Sequence, residues 1–249
     1  MEFSGTVALV TGASKGIGKA TALALAEAGI QVALVSRDER LLKQTAEEIR
    51  GRGGKAKYFL ADVASESQVK ALESAVLEGC GRPQILVNNA GINIRKPLVD
   101  FTLDEWNRIL QTNLTAVFLM CRSFVPMMKG RGYGRIINMT SMMSHVALPE
   151  RTAYAASKAG LLGFTRALAL ELASEGITVN GISPGPCATE INKPLMESPE
   201  LTKFFLSRIA VGRWGRPEEV ARLAVYLCSE DAGFITGTDI VIDGGWCTQ

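Results

Sequence analysis

Short apolar runs alternate with longer amphipathic stretches from one end of this chain to the other. Val7–Val10, Val32–Val35, Ala56–Leu60, Ile85–Val87, Arg135–Met139, Thr178–Ile182 and Asp239–Ile242 read as strands. Most are continuous apolar runs without polar alternation, the pattern of parallel strands covered on both faces. Lys15–Ala28, Glu39–Arg52, Ser67–Glu78, Thr102–Met128, Ala153–Ser174 and Pro217–Ser229 read as helices, and Gly29, Gly53 and Gly176 stand where helix C-termini take glycine. Strands joined through helices by right-handed crossovers predict a single doubly wound α/β domain over residues 1–249, with a seven-stranded parallel sheet and helices on both faces. Residues 183–214 break the alternation, with prolines at 184, 186, 194 and 199 and only a short helical piece near Leu201–Arg208. This segment leaves the sixth strand at the carboxyl end of the sheet, where open α/β sheets bind ligands, so it is expected to be a substrate-binding loop or lid.

Composition narrows the class. At 47% hydrophobic and 21% charged, the 249 residues can bury a sizeable core. Lys and Arg number 27 against 25 Asp and Glu, a net +2, which leaves no electrostatic footprint for nucleic acid or an anionic membrane. The one histidine, His145, excludes His-rich metal sites, and the five scattered cysteines lack C-x-x-C spacing, so no metal is expected. The cysteine pattern fits a reducing compartment. Met1–Gly5 shows no basic region or cleavage site of a signal peptide, and a cytoplasmic protein is expected.

The first strand runs into Gly12-Ala-Ser14-Lys15-Gly16-Ile17-Gly18 and then a helix. Glycines let backbone N–H groups approach a pyrophosphate, and the helix N-terminus adds positive potential, so the loop suits a dinucleotide. Its spacing, G-x3-G-x-G, is not the common G-x-G-x-x-G. Gly12 to Gly16 also matches the G-x-S-x-G elbow of α/β-hydrolases, which would make Ser14 a nucleophile and require His145 as its base. A P-loop fails, because Ala20 stands where Ser or Thr is needed. At the end of the second strand, where an NAD site wants an acid, the chain reads Ser36-Arg37, and Lys15 lies in the loop. Two cations suit a 2′-phosphate and point to NADP; the alternative is Asp38 as a ribose ligand. Asp62-Val63, after the third strand, can hold an adenine, or the Asp can cap a helix.

Tyr154 and Lys158 stand four residues apart, about one helical turn, on one face. A neighbouring ammonium favours phenolate and makes a Tyr a usable acid/base near neutrality. Ser141 follows the fifth predicted strand and can orient a carbonyl; Asn88-Asn89-Ala90-Gly91 follows the fourth, and Asn113 lies within a helix.

Together, Thr11–Gly18, Asn88–Gly91, Ser141, Tyr154-x-x-x-Lys158 and Pro184-Gly185 resemble the short-chain dehydrogenase/reductase family, along essentially the whole chain to Val241–Gly245. The resemblance implies a Rossmann fold binding NAD(P)(H) and a tetrad of Asn113, Ser141, Tyr154 and Lys158. It implies that Tyr154 exchanges a proton with the substrate oxygen, that Lys158 tunes Tyr154 and holds ribose hydroxyls, and that Asn113 fixes a water relaying protons to Lys158. It further implies that Asn89, Ala90 and Gly91 support the cofactor, that residues 182–189, with Pro184, Gly185 and Thr189, wall the nicotinamide, and that the protein is a homotetramer. Two subfamilies look nearest, gluconate 5-dehydrogenases and 3-oxoacyl-carrier-protein reductases. Residues 91–98, Glu105-Trp106, 188–195 and 213–215 look more like the gluconate pattern, which favours a sugar acid or polyol as substrate, with Arg95 and Lys193 as carboxylate partners. The alternatives are an oxoacyl thioester, a cofactor-binding regulator without turnover, and the hydrolase.

Overall fold

A computed structural model describes Phe3 and residues 5–248. Met1, Glu2 and Ser4, on which the expectation of no signal peptide largely rests, lie outside the described residues. The strands are β1 (Val7–Thr11), β2 (Gln31–Ser36), β3 (Ala56–Leu60), β4 (Ile85–Asn88), β5 (Gly134–Met139), β6 (Ile177–Pro184) and β7 (Asp239–Ile242). They form one all-parallel sheet in the order β3-β2-β1-β4-β5-β6-β7. Successive side chains point to opposite faces, and both faces of the inner strands are covered, while the edge strands β3 and β7 are partly exposed. Ala8, Val10, Val32, Leu34, Ile85 and Val87 face α1 (Gly16–Glu27), α2 (Glu39–Gly51) and α9 (Pro217–Cys228). Leu9, Ala33, Val35 and Leu86 face α3 (Glu66–Cys80), α5 (Ala116–Met128) and α6 (Thr152–Leu172). This two-sided burial is why the strands read as unbroken apolar runs.

The single helix expected over Thr102–Met128 is instead two. α4 (Leu103–Leu110) and α5 are separated by a π-helical turn over Gln111–Thr115. The wider turn leaves Asn113 fully buried, where its side chain bonds the backbone of the loop after β4. A helical periodicity of 3.6 residues carries no mark of such a turn, and π-turns of this kind recur at functional sites.

β6 runs two residues further than its apolar core and ends at Pro184, so the chain leaves the sheet at Gly185. From there to Gly215 the chain forms a loop closed on itself. Gly215 N–H donates to Pro186 O at 2.9 Å and Ala188 N–H to Gly215 O at 2.8 Å. Between these points stand α7 (Lys193–Met196), which the sequence pattern does not predict, and α8 (Pro199–Leu206), which replaces the helical piece near Leu201–Arg208. Leu195, Phe205 and Ile209 of this loop share a small apolar core with Met142, Met143 and Trp246. Among the described residues no helix is long and apolar enough to cross a membrane.

Candidate active site

Strand order reverses between β1 and β4, so the loops leaving these two strands diverge and open a crevice at their carboxyl ends. The glycine loop forms one wall. Gly12 and Gly16 take left-handed backbone (φ +64° and +55°), where a side chain would be strained. A Cβ on Gly12 would meet Asn89 Nδ2 at 2.7 Å, and one on Gly18 would run into the same atom. Asn89 holds this wall in place: Nδ2 donates to Thr11 O at 3.0 Å and Gly12 O at 3.3 Å, and Thr11 Oγ1 accepts from the Asn89 and Ala90 N–H groups. The result is a cradle with bare backbone at the start of α1, which fits a dinucleotide pyrophosphate. Thr189 lies against Gly16, so the loop after β6 meets the glycine loop across the crevice.

At the far end Arg37 is two-thirds exposed and sits 3.4 Å from Asp62 Oδ2. The Asp38 carboxylate, the alternative ribose ligand, caps α2 by accepting from Leu41 N–H at 3.0 Å. Arg37 and Lys15 both line the cavity wall. Asp62 also accepts from Ala64 N–H at 3.0 Å in a tight turn beside buried Val63, and Ser36 Oγ accepts from Asp38 N–H.

The same cavity, about 700 Å³, continues to Ser141, Tyr154 and Lys158. Ser141 follows β5 and starts a one-turn helix, its Oγ accepting from Met143 N–H at 3.1 Å. Lys158, on α6, is buried, and its Nζ donates to Met139 O at 2.5 Å and lies 5.8 Å from the Tyr154 ring centroid. Burial pulls the Lys158 ammonium down to about 8. Burial also pushes the Tyr154 phenol above its ordinary range, opposed by a hydrogen bond from Ser141 and by the charges of Arg95 and Arg151. Asn113 Oδ1 accepts from Ile92 N–H at 2.8 Å, and Nδ2 donates to Ile92 O and to Ser157 Oγ, both at 3.0 Å. Ser157 in turn donates to Tyr154 O at 2.7 Å, so Asn113 and Tyr154 are tied through one hydroxyl. A Cβ on Gly91 would meet Asn113 Oδ1 at 3.4 Å and Lys158 Nζ at 3.7 Å, so both groups border the same small space.

Pro184, Gly185 and Thr189 line the cavity as expected. Lys193 does not; it lies outside, 3.6 Å from Glu197. His145 bonds Asp239 Oδ2 at 2.6 Å and approaches Ser183 Oγ at 3.3 Å, and it makes no contact with Ser14 that a hydrolase would need. Asp239 collects two further donors, Ser183 Oγ at 2.6 Å and Thr140 Oγ1 at 2.5 Å, and Ser183 is within 2.9 Å of Ser141 O. Arg151 on the cavity wall, and Ser157 and Asp239 behind it, are the residues that sequence reasoning missed. For Arg151 a signal existed: a cation at the N-terminus of a helix works against the helix dipole.

Residues 12–247 match the family model described as enoyl-(acyl carrier protein) reductase. The chain is 41% identical to a 3-oxoacyl-[acyl-carrier-protein] reductase of Synechocystis over 241 residues, 96% of each chain. It is 40% identical to a D-threitol dehydrogenase of Mycolicibacterium smegmatis, covering 97% of this chain and 93% of that one. Among solved structures it superposes on a gluconate 5-dehydrogenase of Burkholderia cenocepacia in complex with NADP and tartrate. That match has a TM-score of 0.95 and 35% identity, over 100% of this chain and 97% of the other.

Proposed function

The chain belongs to the short-chain dehydrogenase/reductase family of oxidoreductases, and on that footing we propose that it interconverts a secondary alcohol and a ketone with NADP(H), on a sugar acid or polyol of the gluconate kind. The observation that carries this reading is the single cavity joining the glycine loop to Ser141, Tyr154 and Lys158. Residues 12–18 would hold the pyrophosphate, Arg37 and Lys15 the 2′-phosphate with Ser36 beside it, and Asp62 and Val63 the adenine. Asn89, Ala90, Gly91, Pro184, Gly185 and Thr189 would border the nicotinamide half, and residues 183–214 would cover the substrate.

When bound, NADPH supplies a hydride and NADP⁺ accepts one. Tyr154 donates a proton to the carbonyl oxygen in reduction and withdraws it in oxidation. Ser141 donates a hydrogen bond to the same oxygen as its negative charge develops. Lys158 favours the phenolate by its charge and bonds the ribose hydroxyls. Asn113 steadies α6 through Ser157, and the space it shares with Lys158 beside Gly91 suits a relaying water. A 3-oxoacyl thioester is the second reading, favoured by the reductase relatives and by the apolar wall of Met142, Leu148, Leu195 and Phe205.

Exposed apolar residues support a homotetramer in the reducing cytoplasm, where the free thiols of the chain are at home. Leu103 on α4, Phe118 on α5 and Leu170 on α6 form one candidate contact, and the edge strand β7 with exposed Phe234 and Val241 forms another.

The test is a screen of nicotinamide absorbance with NADPH or NADP⁺ against ketogluconates, gluconates, polyols, acetoacetyl thioesters and simple ketones. Turnover of sugar acids or polyols well above the rest is expected. Preference for the thioester transfers the function to the second reading, and no turnover of any carbonyl or alcohol overturns both.

A further inference from the structure

One carboxylate holds both ends of the turn that carries Ser141. Asp239, the first residue of β7, lies behind the cavity wall, and its side chain is only 6% exposed. Thr140, which precedes Ser141, donates to Asp239 Oδ1 at 2.5 Å. His145, four residues after Ser141, bonds Oδ2 at 2.6 Å through Nε2. Ser183 of β6 reaches Oδ2 at 2.6 Å and the main-chain oxygen of Ser141 at 2.9 Å, so its one proton lies between two acceptors. Between the pinned ends, Ser141 O also accepts from Ser144 N–H at 2.8 Å, and Ser141 Oγ from Met143 N–H at 3.1 Å.

The sheet makes room for this carboxylate. Gly181 faces Asp239 across the β6–β7 pairing, and a Cβ there would lie 2.0 Å from Oδ1. Taking an acid out of water is costly unless donors meet it. Here the donors come from the end of β5, from β6 and from the turn itself. An apolar residue at position 239 would fill the space without that cost, so packing alone does not account for an acid. What the acid adds is a link between three chain segments that meet at Ser141.

We propose that Asp239 is a positioning residue: through Thr140, Ser183 and His145 it fixes the turn of residues 140–145 and holds the Ser141 hydroxyl against Tyr154. The proposal rests on reading Ser141 and Tyr154 as parts of a dehydrogenase site. Neither Asp239 nor His145 lines the cavity, so both act through Ser141. The hydrogen bond from Ser141 favours the Tyr154 phenolate, against the push of burial. Loosening the turn weakens that bond and moves Tyr154 ionisation to higher pH. The charged groups that face Tyr154 are Arg95 from the loop after β4, Arg151 before α6 and Lys158 within it, and they stay in place.

His145 is 31% exposed, so its replacement leaves the core intact and carries the test. Tyr154 ionisation is read from phenolate absorbance in the near ultraviolet, as the difference between each protein and its Tyr154→Phe counterpart, without cofactor or substrate. His145→Ala should raise the midpoint by ~0.5–1 unit, as for one weakened hydrogen bond, and Ser183→Ala should shift it the same way. His145→Gln, whose Nε2 keeps a donor for Asp239, should restore most of the difference. On a Ser141→Ala background, His145→Ala should add nothing. In turnover, kcat should fall ~3–10-fold with KM and NADP⁺ affinity nearly unchanged. The assay uses D-gluconate or, if that is what the protein converts, an acetoacetyl thioester. A midpoint unmoved in both His145→Ala and Ser183→Ala overturns the proposal. So does a shift that survives on the Ser141→Ala background, or a loss of activity carried by KM rather than kcat. Because the absorbance needs no turnover, a midpoint that depends on His145 in a protein converting no alcohol or ketone would sustain the positioning role and overturn the dehydrogenase reading instead.

Discussion

Lys158 Nζ donates to the main-chain oxygen of Met139 at 2.5 Å, fastening the middle of the site to the end of β5. The contact sets the lysine at a fixed depth, one helical turn from Tyr154. Burial there holds its ammonium near 8, within reach of physiological pH.

That depression makes Lys158 a destabilising charge in the free protein. Below about pH 8 the folded state must bury a cation. Between 8 and the unfolded value of 10.5 the folded state gives up its proton first, so the unfolded state binds more protons and stability rises with pH from this group. Lys158→Met should therefore stabilise the cofactor-free protein by ~1–3 kcal/mol near neutral pH, with the gain shrinking as pH rises through this window, while turnover is lost. Urea denaturation at neutral and alkaline pH checks it; a gain that grows with pH would refute the assignment.

Tyr154→Phe removes the proton donor and leaves the ring in place. Turnover should fall ~10²–10⁴-fold or more, as for loss of a general acid, with NADPH affinity by fluorescence titration nearly unchanged. Activity close to wild type would place the acid elsewhere.

Arg37 offers a clean contrast between cofactors. Its contact with Asp62 is exposed and contributes little to stability. Arg37→Ala should weaken NADPH ~10–100-fold, as for a charge-assisted bond to phosphate, and leave NADH nearly untouched. Equal losses for the two would remove the 2′-phosphate role.

Asp239 receives hydroxyl donors from Thr140 and Ser183 and a ring nitrogen from His145, almost out of contact with water. Asp239→Asn sets an N–H₂ against at least one of those donors, and an unsatisfied buried group costs ~1–3 kcal/mol. Thermal unfolding should show the loss, and a smaller loss in turnover should accompany it, because Ser183 bonds the backbone of Ser141. A variant as stable as wild type would mean that the network is slack.

Leu170 is among the most exposed apolar side chains and lies on the outer face of α6. Leu170→Glu should lower the mass seen by analytical ultracentrifugation if that face joins subunits. A wild-type protein that sediments as a monomer would end the tetramer proposal.

How much of the fold and site is legible in the chain depends on how local the cause is. Val7–Thr11 and Ile85–Asn88 are visible because two-sided burial demands apolar residues at every position, a requirement written directly into consecutive letters. Gly12, Gly16 and Gly18 are visible because they answer to backbone geometry within one turn. Tyr154 and Lys158 are visible because helix geometry converts a spacing of four into a shared face. The π-turn at Asn113 is not, since one extra residue in a turn leaves the apolar pattern nearly intact.

The sequence by itself determined the sheet, the glycine cradle and the Tyr–Lys pair, all products of steric and hydrophobic rules acting within a few residues. Only the tertiary structure decided that Arg95 and Arg151 line one cavity, that Asp239 gathers Thr140, Ser183 and His145, and that Lys193 stays outside. These pairings depend on which strand lies beside which and where each loop lands. Neighbours across a sheet are chosen by the packing of the whole domain, so no local pattern along the chain can record them.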